Sequence, residues 1–370
     1  MSSHLYIHIP FCRSKCLYCD FYSLPRTEVP WETFLRAVTD EARSRRNELP
    51  SPPDTIYVGG GTPSLMPPET ASELLRRMSD IFGGRPKEIT IELNPDNVTP
   101  EYAAALLEAG FNRFSMGVQS FDNTLLRSIG RRHTAARAAE AYESLLPSGN
   151  VSIDLMFGLP GQTFDSWRRD VERAIALRPQ HISLYSLMLE EGTAMTRLAE
   201  AGKIQLPPQE ISEEMYLHLC EALAAAGYRH YEISNFALPG FESRHNTAYW
   251  HSAPYLGLGP GAHSYDGKRL RTANFPDTEA YLRGDRRFST ETLTDAELRE
   301  EYLMTRLRTD RGISLAEYAA LPGGSADTER LRRNLRRQLD AGMIEKTADM
   351  RCRIPERHWL TADPIIVALL

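Results

Sequence analysis

The sequence predicts an α/β fold: an open, partial barrel of six βα units followed by a small helical, winged-helix-like domain. Three observations carry this. Strand-like and helix-like segments alternate about six times between residues 4 and 189, the pattern of parallel strands joined by helices. Glycines and polar residues gather behind the strands, at 59–62, 92–95, 119–120 and 154–162. In a barrel of βα units, the active site collects at those strand ends. Six units are too few to close an eight-fold barrel, so the barrel stays open.

The elements run as follows. "HLYIHIP" (4–10) alternates like a strand and feeds a cysteine loop, and 31–49 has helical periodicity. Strands are expected at 54–64, 87–95, 113–120, 151–162 and 181–189. Helices are expected between them at about 69–82, 100–109, the pair 122–129 and 134–146, and 164–177. A helix over 209–226 ends the regular alternation. Residues 241–289 are rich in aromatics, Gly, His and Asn and read as a connecting region. Residues 290–370 are helical again and end in a short ribbon, "CRIPERHWLT". The expected division is 1–240, 241–289 and 290–370.

The chain has 370 residues, 42% of them hydrophobic and 25% charged, with a formal net charge of −6. An acidic balance argues against nucleic acid as a partner. The arginines at 332, 333, 336 and 337 suit an exposed helix face rather than a DNA-reading one. No apolar stretch approaches the ~20 residues that span a bilayer, and no leader pattern is present. A cytoplasmic location is therefore expected. Thiols stay reduced there, so clustered cysteines point to a metal or to catalysis. Cys220, on the apolar face of "EEMYLHLCEALAAAG", reads as a core residue.

Cys12, Cys16 and Cys19 are spaced C-x3-C-x2-C. A zinc site would normally add a second ligand pair downstream, and none is evident. Iron–sulfur clusters take thiolates at tight local spacing. Three thiolates on a [4Fe-4S] cube leave one iron free to coordinate a small molecule. The spacing, on a loop after the first strand, resembles the radical S-adenosylmethionine (SAM) superfamily. That resemblance implies a radical-SAM barrel in which the open iron holds SAM and one electron cleaves a carbon–sulfur bond.

"YVGGGTPS" lets a ligand approach the backbone closely, "IELNP" places a carboxylate at a strand end, and "GVQSF", "IGRRH" and "SIDLMFGLPGQT" follow. With "YEISNFA" and "HNTAYW", they occur in the order found in the oxygen-independent coproporphyrinogen III oxidase family, over nearly the whole chain. The resemblance implies Cys12, Cys16 and Cys19 as cluster ligands. It implies SAM contacts from Tyr6, Tyr18, Gly60, Gly61, Thr62, Glu92, Gln119, Arg131 and Asp154, with Met188 as a looser match.

Two departures separate the chain from the oxidase itself. Phe21 stands where the oxidase has a further cysteine, and only eleven residues precede Cys12. "HNTAYW" matches the HNxxYW signature of the family's haem-chaperone branch. That branch implies a protein that binds haem and passes it to acceptors such as respiratory enzymes, membrane-associated ones among them. Its cluster needs an electron donor. The alternative is radical decarboxylation of coproporphyrinogen III. For haem, His245 offers an imidazole to iron, Tyr249 and Trp250 offer flat faces, and Asn246 can orient the histidine. His251 and His263 are the rival iron ligands.

Overall fold

The computed structural model of the chain describes residues 2–370. Six parallel strands form its centre: β1 (Ser3–Ile9), β2 (Pro53–Gly60), β3 (Glu88–Leu93), β4 (Arg113–Gln119), β5 (Val151–Phe157) and β6 (His181–Ser186). They lie side by side in chain order. The helices between them are α1 (Trp31–Arg45), α2 (Pro68–Phe82), α3 (Pro100–Ala109), α4 (Asn123–Ser128), α5 (Ala135–Leu145) and α6 (Phe164–Leu177). This is the expected partial (β/α)6 barrel, each strand within a few residues of its expected place.

Residues alternate in direction along a strand, and here the alternation separates two environments. Leu5, Ile7, Ile56, Val58, Ile91, Phe114, Met116, Ile153 and Ile182 are buried in one core with the helices' apolar faces. The intervening residues are polar and paired across the inner face. Tyr57 lies beside Thr90, Thr90 beside Arg113, Glu92 beside Ser115, and Asp154 beside Ser183. The barrel therefore has an apolar shell and a polar lumen. Caps at Thr99, Asp122, Thr134 and Thr163 start the helices behind β3, β4 and β5. Each such cap typically contributes ~1 kcal/mol and stiffens the loops at the functional end.

Helix α7 (Gln209–Ala225) follows the barrel and buries Cys220. Strands β7 (Arg229–Glu232) and β8 (Asn235–Ala237) then extend the sheet antiparallel to β6. The region from 241 holds more regular structure than its composition suggested. Helix α8 (Arg244–Trp250) leads to β9 (Tyr255–Leu258), which pairs parallel with β1. Strands β10 (His263–Tyr265), β11 (Leu270–Asn274) and β12 (Phe288–Thr292) continue from it antiparallel, making a 12-stranded sheet. These strands are three to five residues long and broken by Gly and Pro, so they leave no periodic signal.

The C-terminal part holds helices Asp295–Arg306, Leu315–Ala319, Gly324–Asp340 and Ala362–Val367, with a two-residue ribbon between Glu345–Lys346 and Cys352–Arg353. Arg332, Arg333, Arg336 and Arg337 are all exposed. His230 of β7 bonds Glu356 at 2.7 Å and stacks on Phe236, tying this part to the barrel. No helix among the described residues is long and apolar enough to cross a membrane.

Candidate functional site

The cysteine loop leaves β1 and is held along its backbone. Gly61 N–H donates to the Ile9 carbonyl at 2.7 Å, Thr62 N–H to Phe11 at 2.8 Å and Arg26 N–H to Cys12 at 2.8 Å. Its far side rests on a separate apolar cluster of Leu125, Ile129, Met156, Leu159, Leu187 and Met195, against which Leu17 and Tyr18 pack. Cys12, Cys16 and Cys19 are free thiols. They line one cavity of about 400 Å³ at the C-terminal ends of β1–β6.

Tyr18, Gly60, Gly61, Thr62 and Glu92 line the same cavity. So do Gln119, Arg131, Asp154 and the largely exposed Met188. Tyr6 is placed differently: it lies on an adjoining cavity and bonds His8 at 3.0 Å.

The lumen sets the charges at this site. Burial pushes the Glu92 carboxyl up to about 7, against the hydrogen bonds it accepts from Tyr57 and Gly60. Those bonds are 2.8 and 3.0 Å long. Burial likewise raises Asp154 to about 6, opposed by Ser183, Arg113 and Ser115. Arg113, at 2% exposure, is a buried cation whose charge acts on both acids, and Arg131 adds to it at Asp154. Arg131 donates to the Gly117 carbonyl and to Cys16 Sγ at 3.7 Å. Gln119 sits at φ 68°, where the ladder to β5 shifts register. A strained, non-glycine residue at a strand end often marks a functional position.

Sequence reasoning missed Arg113, Tyr57 and Ser115. Their signal was available: polar residues at every second position of strands that are otherwise apolar.

The second cavity is larger, about 1140 Å³, and is walled by Asn246, Tyr249 and Trp250 of α8 together with Tyr255, Tyr265 and Phe275. Asp20, Phe21 and Tyr185 line both cavities, so the two adjoin, with Phe21 (64% exposed) between them. Helix α8 is anchored by Glu88, which accepts the Arg244 and His245 N–H groups, each at 2.9 Å. Glu232 lines the same cavity, accepts the Ser234 N–H at 3.0 Å, and has its pKa raised by burial to about 7.

His245 lies beneath this wall at 1% exposure. Its Nδ1 bonds Thr55 Oγ1 at 2.7 Å and its Nε2 bonds the Tyr249 hydroxyl at 2.9 Å. Burial, with Arg113 and His4 adding to it, keeps the ring neutral. Thr55 and Tyr249 thus hold the ring, while Asn246 lines the cavity instead. His251 is half-buried beside Arg306 and off the wall. His263 is exposed and on it.

Fold and site together define a radical SAM protein, and the sequence model of the Radical SAM superfamily matches residues 6–174. The solved coproporphyrinogen III oxidase HemN of Escherichia coli, described as a radical SAM enzyme, superposes with TM-score 0.83 at 21% identity. The match covers 100% of this chain and 90% of that one, and shows a shared fold. The heme chaperone HemW of Bacillus subtilis is 37% identical over 332 residues, 87% of each chain. That of Lactococcus lactis is 36% identical over 319 residues, 85% of this chain and 83% of that one. The mitochondrial radical S-adenosyl methionine domain-containing protein 1 of mouse is 36% identical over 326 residues, 84% and 74% of the two chains. The chain belongs to the HemW family of radical SAM proteins.

Membership of the superfamily implies a [4Fe-4S] cluster and SAM, and the residues fit both. Three free thiols share one wall, the donor set for a cube with one open iron. A Cβ at Gly61 would come within 2.7 Å of the Phe11 carbonyl and 3.0 Å of Cys12 Sγ, so only glycine leaves this cradle open. The buried Arg131 Nε has no partner among the described residues. When bound, cluster and SAM would supply one-electron cleavage of a carbon–sulfur bond, with Cys12, Cys16 and Cys19 as the residues to hold the cluster and the protein contributing position and shielding.

Proposed function

We propose that the protein is a haem chaperone. It holds haem in the 1140 Å³ cavity beside its cluster and passes it to haem-accepting proteins such as respiratory enzymes. The observation that carries this reading is the cavity itself. It exceeds the ~300–1,000 Å³ typical of small-ligand sites, and Tyr249, Trp250, Tyr255 and Phe275 give it flat aromatic walls. Cys12, Cys16 and Cys19 hold the cluster. Glu92 and Asp154 take SAM's polar groups, and Arg131 takes its carboxylate. The relatives above that are heme chaperones favour the same reading. Phe21 favours it too, because the residue between the cavities is an apolar ring and not a further thiol.

The test is anaerobic reconstitution of the cluster, followed by parallel assays of haem uptake, SAM cleavage and coproporphyrinogen III turnover. Stoichiometric haem binding with little turnover supports the chaperone. Robust protoporphyrinogen formation replaces it with the oxidase reading, for which the fold shared with HemN is the argument.

A further inference from the structure

The geometry points to His263, the first residue of β10, as the residue that offers its imidazole to the haem iron. This inference rests on the haem-chaperone reading above and assigns an iron ligand within it.

An axial ligand needs a nitrogen lone pair that is free and faces the ligand's space. Two histidines line the large cavity, His8 and His263. His8 has both nitrogens engaged, Nε2 with the Tyr22 carbonyl at 2.8 Å and Nδ1 with the Tyr6 hydroxyl at 3.0 Å. His245 is also doubly bonded and does not reach the wall. Freeing it would break two buried hydrogen bonds and leave Thr55 or Tyr249 unsatisfied. The ring of His263 is exposed and neither nitrogen has a partner among the described residues.

The backbone beneath this free ring is the opposite of free. Glu41 of α1 is buried and accepts the Gly259 N–H at 2.9 Å, the Tyr281 hydroxyl at 2.6 Å and an Asn274 amide hydrogen at 2.7 Å. Its ion-pair partner Arg45 donates to the Gly257 carbonyl at 3.2 Å and to Ser264 Oγ at 3.0 Å. Ser264, next to His263, also accepts the Gly257 N–H at 3.0 Å. The His263 carbonyl packs so closely on Gly257 that a Cβ there would lie 2.1 Å away.

A buried ion pair and a glycine cradle thus fix one short strand, and the side chain at its start is left unpartnered over the cavity. A surface histidine needs no such support, whereas a ligand that must meet iron in one geometry does. The sequence "GLGPGAH" acquires a purpose: its glycines let the chain turn against β1 and deliver His263 to the wall.

The experiment is haem titration of the anaerobically reconstituted protein, read by absorption and by electron paramagnetic resonance of the ferric complex. Wild type is compared with His263→Ala, His263→Met and His245→Ala. The inference expects His263→Ala to weaken haem binding at least tenfold and to lose the axial-nitrogen signature, with both restored by added imidazole. His263→Met should bind haem with a changed axial signature. His245→Ala should lower thermal stability while keeping the wild-type signature. If wild type binds haem and His263→Ala matches it in affinity and spectrum, the assignment is wrong and the chaperone reading survives. If wild type takes up no haem, both are wrong.

Discussion

Glu92→Gln should make the protein more stable and less able to bind SAM, and the sizes follow from the lumen. The carboxyl rises from 4.5 to about 7, mainly by burial. A shift of about 2.5 units corresponds to roughly 3 kcal/mol. The sign follows from linkage. A raised carboxyl pKa means that the folded state holds the proton more tightly than the unfolded one. The cost of ionisation is absent below pH ~4.5, grows through the interval and is complete above ~7. A neutral amide never incurs it. The amide can still accept from Tyr57, but the Gly60 bond weakens, a loss of about 1 kcal/mol. The net expectation is a gain of about 2 kcal/mol at pH 8 that shrinks to near zero by pH 5. It is measured by urea denaturation of the cluster-free proteins. In reconstituted protein, on the proposed reading that Glu92 takes a polar group of SAM, losing the charge should remove ~1.5–3 kcal/mol, so the Kd for SAM should rise roughly 10- to 150-fold. An unchanged or lower denaturation midpoint at pH 8, or an unchanged SAM affinity, would refute the reasoning.

Gly61→Ala should leave the far-UV circular dichroism intact and reduce cluster iron by more than half, because its Cβ meets a backbone carbonyl and the Cys12 sulfur. Full iron loading would show that the loop can move aside. Arg113→Met removes a buried cation that acts on both Glu92 and Asp154 through its charge, and should lower stability at pH 8 by roughly 1–3 kcal/mol. The loss should ease as pH falls through about 6, where both acids take up protons. A pH-independent loss would mean that packing, not charge, is the role of Arg113. Phe21→Ala, at a side chain 64% exposed, should change stability by less than ~0.5 kcal/mol and leave cluster iron unchanged. It should still alter haem affinity severalfold, since Phe21 borders both cavities; an unchanged affinity would exclude it from the haem wall.

Much of the barrel was legible because its signals are local. Strands near 4–10, 113–120 and 151–162 announce themselves by composition and by the capped helices behind them. The cysteine spacing and the glycine run likewise lie within single loops. The lumen was legible in principle, as Tyr57, Arg113 and Ser115 mark the polar face of apolar strands. The sheet extension over 255–292 was not, because its short strands are ordered by β1 and α1 rather than by their own periodicity. Gly259 and Asn274 find their buried partner in Glu41, more than 200 residues earlier.

The sequence by itself determined a partial barrel of six βα units, three thiols for a cluster with an open iron, and a succession of polar residues at strand ends. It also placed "HNTAYW" in the chain, but it could not say which of that motif's atoms are available. Only the tertiary structure decided that Thr55 and Tyr249 occupy both nitrogens of His245, that Phe21 separates two adjoining cavities, and that His263 stands free on the larger one. The physical reason is that a residue's type is local, whereas the availability of its lone pair depends on which distant groups are folded against it.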